Sequence, residues 1–259
     1  MNKSLINRLK SVSLVCSIFF ALINPCSAQD TFSRDIATLK SDYQNFYFNT
    51  NNLLELGAGI AGAAIIANTS ADREVQKYYQ DHIRGGITND ISKGAKIPGE
   101  FFITPPLLLG VYFLSSPDSP GGVWAQKSLR ALAVGLPSAL IIENATGAST
   151  PEEGGSKWNH PFKHDSGLSN HAFIGAIPFI TAAKMFESPY MKAFFYGVST
   201  LPGLSRVNDN KHYFSQAALG WYLAYLSCNA IDRTENRKGM HIGLVPVSNG
   251  ALVLFSGNF

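Results

Sequence analysis

The chain has 259 residues, of which 46% are hydrophobic and only 15% are charged. A chain of this length and composition buries a continuous core, which excludes a disordered or low-complexity scaffold. Lys3, Arg8 and Lys10 account for the whole formal net charge of +3. The rest of the chain has no basic excess, so nucleic acid is not expected as a partner.

The first 28 residues have the three parts of a signal peptide. The basic stretch MNKSLINRLK precedes the apolar run SVSLVCSIFFALI, and Cys26-Ser27-Ala28 forms a small-x-small cleavage site. We therefore predict that residues 1–28 are a signal peptide cleaved after Ala28, and that the protein is exported. It is expected in the periplasm or on a membrane that faces it. An uncleaved N-terminal anchor is the alternative. Cleavage leaves Cys228 without a partner, so no intrachain disulfide is expected.

Residues 29–99 are predicted to form an N-terminal helical region. Apolar residues at three- and four-residue spacing between Phe32 and Phe46 indicate an amphipathic surface helix. An apolar helix is expected over residues 53–68. The following segment, 70–100, is dense in charge and is predicted to be a loop, in which the residues from Asp72 to Arg84 show a solvated helical face.

Residues 100–235 are predicted to form a helical core. The fold class is all-α, a bundle of about six core helices, because apolar stretches of helical length recur along the chain. After 53–68 they lie near residues 101–116, 128–142, 171–186, 190–204 and 215–231. Most are shorter than the ~20 residues that cross a hydrocarbon core, so buried bundle helices and transmembrane helices both remain open.

Two further segments have a different character. The polar segment 144–170 is too long for a simple connector and is predicted to be a loop packed through Trp158 and Phe162. Residues 236–259 alternate between apolar and polar positions around Ser248-Asn249-Gly250, which predicts a short C-terminal β-hairpin.

Two polar clusters stand directly before apolar helices in the second half of the chain. In the first, Ser169 or Asn170 can cap the helix that starts beside His171, and the free N–H groups of its first turn form an anion site. In the second, Gln216 follows His212 by one helical turn and can accept a hydrogen bond from its ring.

These clusters have the chemistry of a phosphate pocket. The guanidinium of Arg206 has the fork geometry that matches phosphate oxygens. One imidazole can attack phosphorus while the other protonates the departing oxygen.

SGLSNHAF, at 166–173, and SRVNDNKH, at 205–212, resemble the second and third motifs of the type 2 phosphatidic acid phosphatase/vanadium haloperoxidase superfamily, P-S-G-H and S-R-x5-H-x3-D. The resemblance covers roughly residues 100–231 and implies the helical fold of that family. It implies that His212 is the nucleophile and forms a phosphohistidine, and that His171 is the general acid and then the base. By position, Arg206, Ser169 and the backbone N–H of Asn170 would bind the phosphate.

The chain departs from the family pattern in its first motif, K-x6-R-P. The register that keeps the proline has Glu143 and Thr150 before Pro151, so both cations are missing. Lys157 or Lys163, in the same loop, can substitute, and we include Lys157 among the expected phosphate-binding residues.

Two single positions also differ. Asn170 stands where the second motif has glycine, and Gln216 stands where the third motif has aspartate. An amide can orient the imidazole of His212 but cannot neutralise its developing charge, so a slower nucleophile is expected.

The expected function is hydrolysis of a phosphomonoester, either a lipid-linked or other membrane-derived phosphate or a small soluble one, by a membrane-associated protein that needs no cofactor. The alternatives are a catalytically weakened pseudoenzyme that binds anionic lipid or phosphate, and a vanadate-dependent haloperoxidase. A zinc site made by His160, His164 and His171 is disfavoured, because Pro161 disrupts the helical spacing of the first pair.

Overall fold

The computed structural model describes residues 28–238, 241–247 and 250–256. The predicted signal peptide lies outside this range except for Ala28, as do Ser248 and Asn249 of the predicted turn. Within the described residues, the chain divides after Ser41 into two compact units, and the second unit carries the candidate site.

The described residues form a helical bundle followed by two strands. In chain order the elements are α1 (Ala28–Tyr47), α2 (Thr50–Asn68), α3 (Ala71–Tyr78), α4 (Gly86–Ala95), α5 (Thr104–Leu114), α6 (Pro120–Ala145), α7 (Asn170–Met185), α8 (Pro189–Ser199), α9 (Leu201–Asn208), α10 (Phe214–Lys238), β1 (His241–Val247) and β2 (Gly250–Ser256). A π-helical turn, Tyr79–Ile83, continues α3, and short 3₁₀ turns lie at Ile97–Gly99 and Pro151–Glu153. The predicted helical architecture is therefore confirmed.

The two strands lie in the segment predicted to form a hairpin. They pair antiparallel, with His241 opposite Ser256 and Val247 opposite Gly250.

The core of the bundle is built around α7, which packs against both α6 and α10. Phe173, Ile177 and Ile180 on α7 are completely buried, and each such side chain stabilises the fold by roughly 1.5–3 kcal/mol. The close packing of α6 against α7 depends on Gly135 of α6, where an added Cβ would lie 2.7 Å from the Phe173 ring. The helix that carries His171 is thus held firmly in the interior.

The prediction of a loop over 70–100 is wrong, because most of this segment is helical. Asp72 and Gln76 lie one turn apart on α3 and are both buried, whereas Arg73, Glu74 and Lys77 are exposed. A loop and a surface helix both expose charged side chains to water. The high charge density of this segment therefore did not show that it is helical.

Two other predictions need correction. The apolar stretch 190–204 forms two helices, α8 and α9, because Pro202, in the first turn of α9, lacks the N–H that a continuous helix would use. Phe162 was expected to pack against the bundle, but it is 71% exposed.

By length and hydropathy, no individual helix in the described part of the chain qualifies as a membrane span. Two bent pairs meet these criteria jointly: Thr50–Asn68 with Ala71–Ile83, and Gly86–Gly99 with Thr104–Leu114.

Candidate active site

The connection between α9 and α10 brings Arg206 and His212 together. Arg206 lies in the last turn of α9, and its carbonyl oxygen accepts hydrogen bonds from the backbone N–H groups of Lys211 at 2.9 Å and His212 at 3.2 Å. The chain reverses through Asn210, which adopts the left-handed conformation with φ 57°, one that asparagine tolerates better than most residues. The S-R-x5-H spacing therefore becomes a tight turn.

Gln216 determines which nitrogen of the His212 ring carries the proton. Its Oε1 accepts the backbone N–H of Tyr213 at 3.0 Å, and its Nε2 donates to the Ser149 carbonyl at 2.9 Å. A backbone N–H can only donate, so the amide atom facing Tyr213 is the oxygen. His212 Nδ1 lies 3.0 Å from that oxygen and must donate to it. Nε2 is therefore the ring nitrogen with an available lone pair.

The start of α7 lies directly against this arrangement. Ser169 is the N-cap, and its Oγ accepts the backbone N–H of Ala172 at 3.4 Å. The backbone N–H of Ser169 donates to the carbonyl of Gln216 at 3.0 Å, which joins the two predicted clusters. Asn170 is the first residue of α7, a position whose backbone N–H has no acceptor within its own helix.

His171 pairs with an acid that belongs to neither motif. Its Nε2 lies 3.3 Å from Glu100 Oε1. Burial and the positive charge of Arg206 lower the pKa of His171, the hydrogen bond and charge of Glu100 oppose this, and Lys96 lowers it further.

The two histidines and Arg206 form one electrostatic cluster. Burial is the main cause that lowers the pKa of His212 to about 4, and the charges of Arg206 and His171 lower it in the same direction, whereas the hydrogen bond to Gln216 raises it. Burial also lowers the pKa of Arg206, opposed by Asp209, Glu100 and Glu152. Arg206 at the end of α9, His212 in the turn that follows and His171 at the start of α7 therefore lie near enough for their charges to act on one another.

This region coincides with a family match. Residues 134–239, which contain both histidines and Arg206, match the family model of the PAP2 superfamily. This match supports membership of the superfamily for the part of the chain that holds the candidate site. Comparison with curated proteins and with solved structures gave no significant match. PAP2 proteins are generally phosphatases, so at this coarse level the chain is phosphatase-like.

The loop predicted to correspond to the first motif lies beside the segment 205–216. Ser149 accepts the hydrogen bond from Gln216, and Glu152 forms an ion pair with Lys211 at 2.7 Å. Glu143, at the position of the motif lysine, is buried. The loop therefore contacts the segment that carries His212, with Glu143 and Thr150 at the two positions where the motif has cations.

The structure does not bring Lys157 to the cluster. Its neighbours Ser156 and Trp158 are hydrogen-bonded to the end of α2, through the Ala67 carbonyl and Asn68 Oδ1. Lys157 and Lys163 are exposed, and no contact in the described chain joins either one to Arg206 or the histidines.

Sequence reasoning missed the segment 96–100, which lies outside the PAP2 match. Glu100 reaches His171, and Lys96 Nζ lies 3.8 Å from Asp209 Oδ2. Gly99 allows this packing, because a Cβ there would lie 2.7 Å from the His171 carbonyl oxygen. No motif in the sequence marks these residues.

Helix α3 also supports the candidate site from outside the family match. Asp72 accepts hydrogen bonds from the backbone N–H and the hydroxyl of Ser215, in the first turn of α10. Gln76 Nε2 donates to Asn210 Oδ1 at 2.7 Å and to the Val207 carbonyl at 3.2 Å. The buried face of this helix therefore holds the turn that carries His212.

No group of three or more histidine, cysteine or acidic side chains in the described part of the chain could hold a metal ion. His160 and His164 lie in the exposed loop, where His160 Nδ1 contacts Asn159 Oδ1 at 2.7 Å.

Proposed function

We propose that the protein hydrolyses a phosphomonoester through a phosphohistidine on His212, with a lipid-linked or other membrane-derived phosphate as substrate. The observation that supports this most directly is the hydrogen bond from His212 Nδ1 to Gln216. It holds the ring in one orientation and leaves the lone pair on Nε2, while Arg206 lies close enough to influence the pKa of His212.

The reaction has two steps. The lone pair of His212 Nε2 attacks phosphorus, the ester P–O bond breaks, and the departing oxygen takes a proton from the His171 imidazolium. His171, now neutral, removes a proton from water, the resulting hydroxide attacks the phosphohistidine, and the P–N bond electrons return to Nε2. Arg206 and the N–H groups at the start of α7 stabilise the charge on the phosphoryl oxygens.

Exposed apolar side chains beside Glu100 support the choice of a lipid substrate. Ile97, Phe102 and Ile103 are 48%, 79% and 45% exposed, respectively. Large apolar groups next to a polar site are suited to acyl chains or a membrane surface. We include in the proposal an exported protein that works on the periplasmic side of a membrane.

The test of the mechanism uses the purified full chain with phosphatidic acid in mixed micelles and with para-nitrophenyl phosphate. We expect release of inorganic phosphate, and a loss on the order of a thousandfold or more in His212→Ala. The matched control is His160→Ala, which removes an exposed loop histidine and should retain activity. Substrate labelled at phosphorus should leave an acid-labile, base-stable label on the wild type and none on His212→Ala. Undiminished release by His212→Ala would refute the assignment of the nucleophile.

The lipid preference has its own test. Phe102→Gln should lower the rate on micellar phosphatidic acid and leave the rate on para-nitrophenyl phosphate unchanged. Leu114→Gln is the control, because Leu114 is 90% exposed but lies at the far end of α5. Equal effects of both variants on the lipid substrate would contradict a local apolar entrance.

A second candidate function is a pseudoenzyme that binds phosphate or anionic lipid without turnover. The observation that favours it is the presence of Glu100 and Glu152 close to Arg206, together with Thr150 at the position of the motif arginine. Phosphate binding without release from either substrate between pH 4 and pH 9 would support this reading.

A further inference from the structure

Lys96 and Arg206 lie on either side of one carboxylate oxygen. Asp209 Oδ2 is 3.8 Å from Lys96 Nζ and 3.9 Å from Arg206 Nη1. Lys96 follows α4, more than a hundred residues before Arg206 in the chain, and lies outside the PAP2 match. The fold thus brings a second cation to the phosphate-binding arginine from a part of the chain that carries no PAP2 motif.

Both cations also act on the same histidine. The positive charges of Arg206 and Lys96 each lower the pKa of His171, after burial, which is the largest cause. Because the charge of Lys96 acts on the His171 ring, Lys96 lies near the histidine as well as near Asp209.

Asp209 leaves N–H donors of both Lys96 and Arg206 without a short hydrogen bond. Charge-assisted N–H···O bonds are about 2.7–2.9 Å long, and both of these contacts are longer by about an ångström. Asp209 uses its other oxygen for the Ser92 hydroxyl at 2.7 Å. Arg206 Nε is buried and has no hydrogen-bond partner in the described chain. Both cations therefore keep donors for an anion.

A short rigid connection positions Lys96. Its backbone N–H donates to the Ser92 carbonyl at 3.1 Å, and its carbonyl accepts from Gly99 at 2.9 Å. Gly99 in turn packs against the His171 backbone. The Lys96 backbone is therefore fixed relative to His171, whereas its side chain, 38% exposed, is accessible to a ligand.

We propose that Lys96 and Arg206 form the cation pair that binds the phosphoryl oxygens, with Lys96 in place of the cations missing from the first motif. This rests on the proposed function, because it assigns a further phosphate-binding residue to the same pocket. Lys157 has no such position, since the segment around it is attached to α2. Lys163 is exposed in the same loop.

The test measures binding of inorganic orthophosphate to the purified full chain by calorimetry, with no turnover involved. Lys96→Gln should weaken binding roughly 10- to 100-fold, the range for loss of one charged donor, and Lys96→Arg should restore most of it. Lys93→Gln is the matched control, because Lys93 lies in the last turn of α4, just before Lys96, and pairs with Asp90 at 2.8 Å. Lys157→Gln is a second control, and both should bind like the wild type.

A second measurement separates a binding role from a structural one. In the protein without phosphate, NMR titration of the His171 ring should give a higher pKa in Lys96→Gln than in the wild type, and no change in Lys157→Gln. Lys96→Met, which keeps the aliphatic stem, should reproduce the weakened binding with an unchanged melting temperature.

The outcomes distinguish this inference from the proposed function. Orthophosphate binding within twofold of wild type in Lys96→Gln, or loss of binding in Lys157→Gln, would overturn the role of Lys96 even if phosphatidic acid is hydrolysed. Binding that depends on Lys96, without hydrolysis of any monoester, would support the cation pair and refute the enzyme. Absence of orthophosphate binding to the wild type would overturn the inference.

Discussion

The low pKa of His212 predicts that the protein works, and is stable, in a particular range of pH. Burial is the largest cause that lowers this pKa from 6.5 to about 4, and the charges of Arg206 and His171 add to it. At 1.36 kcal/mol per pKa unit, this corresponds to about 3 kcal/mol in favour of the neutral ring. A neutral imidazole is the form required for attack on phosphorus.

The effect on stability follows from the difference between the pKa of His212 in the folded and in the unfolded chain. An unfolded chain protonates His212 near its ordinary pKa, whereas the folded chain keeps it neutral down to about pH 4. Acidification between pH 6.5 and 4 therefore favours the unfolded state, and the His212 contribution of about 3 kcal/mol is lost by pH 4 and is fully present above pH 6.5.

The effect on activity has two sides. His212 stays competent as a nucleophile down to about pH 4, so the acid limb of kcat/KM should lie near that value. His171 must carry a proton to act as the acid, and its pKa is also lowered by burial and by Arg206. The basic limb should then lie below pH 6.5, which predicts an acidic optimum.

The assay combines a pH profile of kcat/KM with NMR titration of histidine ring signals, assigned with His212→Ala and His171→Ala. The substrate phosphate titrates in the same range, so the NMR titration decides the assignment. A His212 ring that titrates at or above 6.5 in the folded protein would refute the reasoning from burial and charge.

Three substitutions test how the site is held. Gln216→Glu puts a carboxylate against His212 Nδ1 and should raise the His212 pKa by about 1 unit or more, moving the acid limb of the activity profile upward; an unmoved limb would contradict the contact. Asp72→Ala removes the acceptor for Ser215 and should lower the free energy of unfolding by about 2 kcal/mol in urea melts, with exposed Asp81→Ala neutral. Gly99→Ala puts a Cβ 2.7 Å from the His171 carbonyl oxygen and should cost about 1–3 kcal/mol and most of the activity. Gly94→Ala meets no atom within 4 Å and should be neutral or slightly stabilising in thermal melts.

The helical bundle and the core of the site were predictable because they depend on short-range patterns. The period of the apolar stretches indicated the helices, and Ser169 was a candidate cap from its position before one of them. Arg206 lies in the last turn of α9, His212 in the connection that follows and Gln216 in the first turn of α10, so their spacing along the chain largely determines their spacing in the fold. Local backbone geometry is sufficient for such a prediction.

The residues that complete and support the site were decided by tertiary structure alone. Lys96, Glu100 and Asp72 approach the motifs from distant segments, and nothing in a charge-rich stretch shows which of its charges face the interior. Lys157 is near the motifs along the chain, but its neighbours Ser156 and Trp158 are attached to α2. Sequence distance predicts proximity only within an element or a tight turn, because beyond that the packing of whole helices determines which side chains meet.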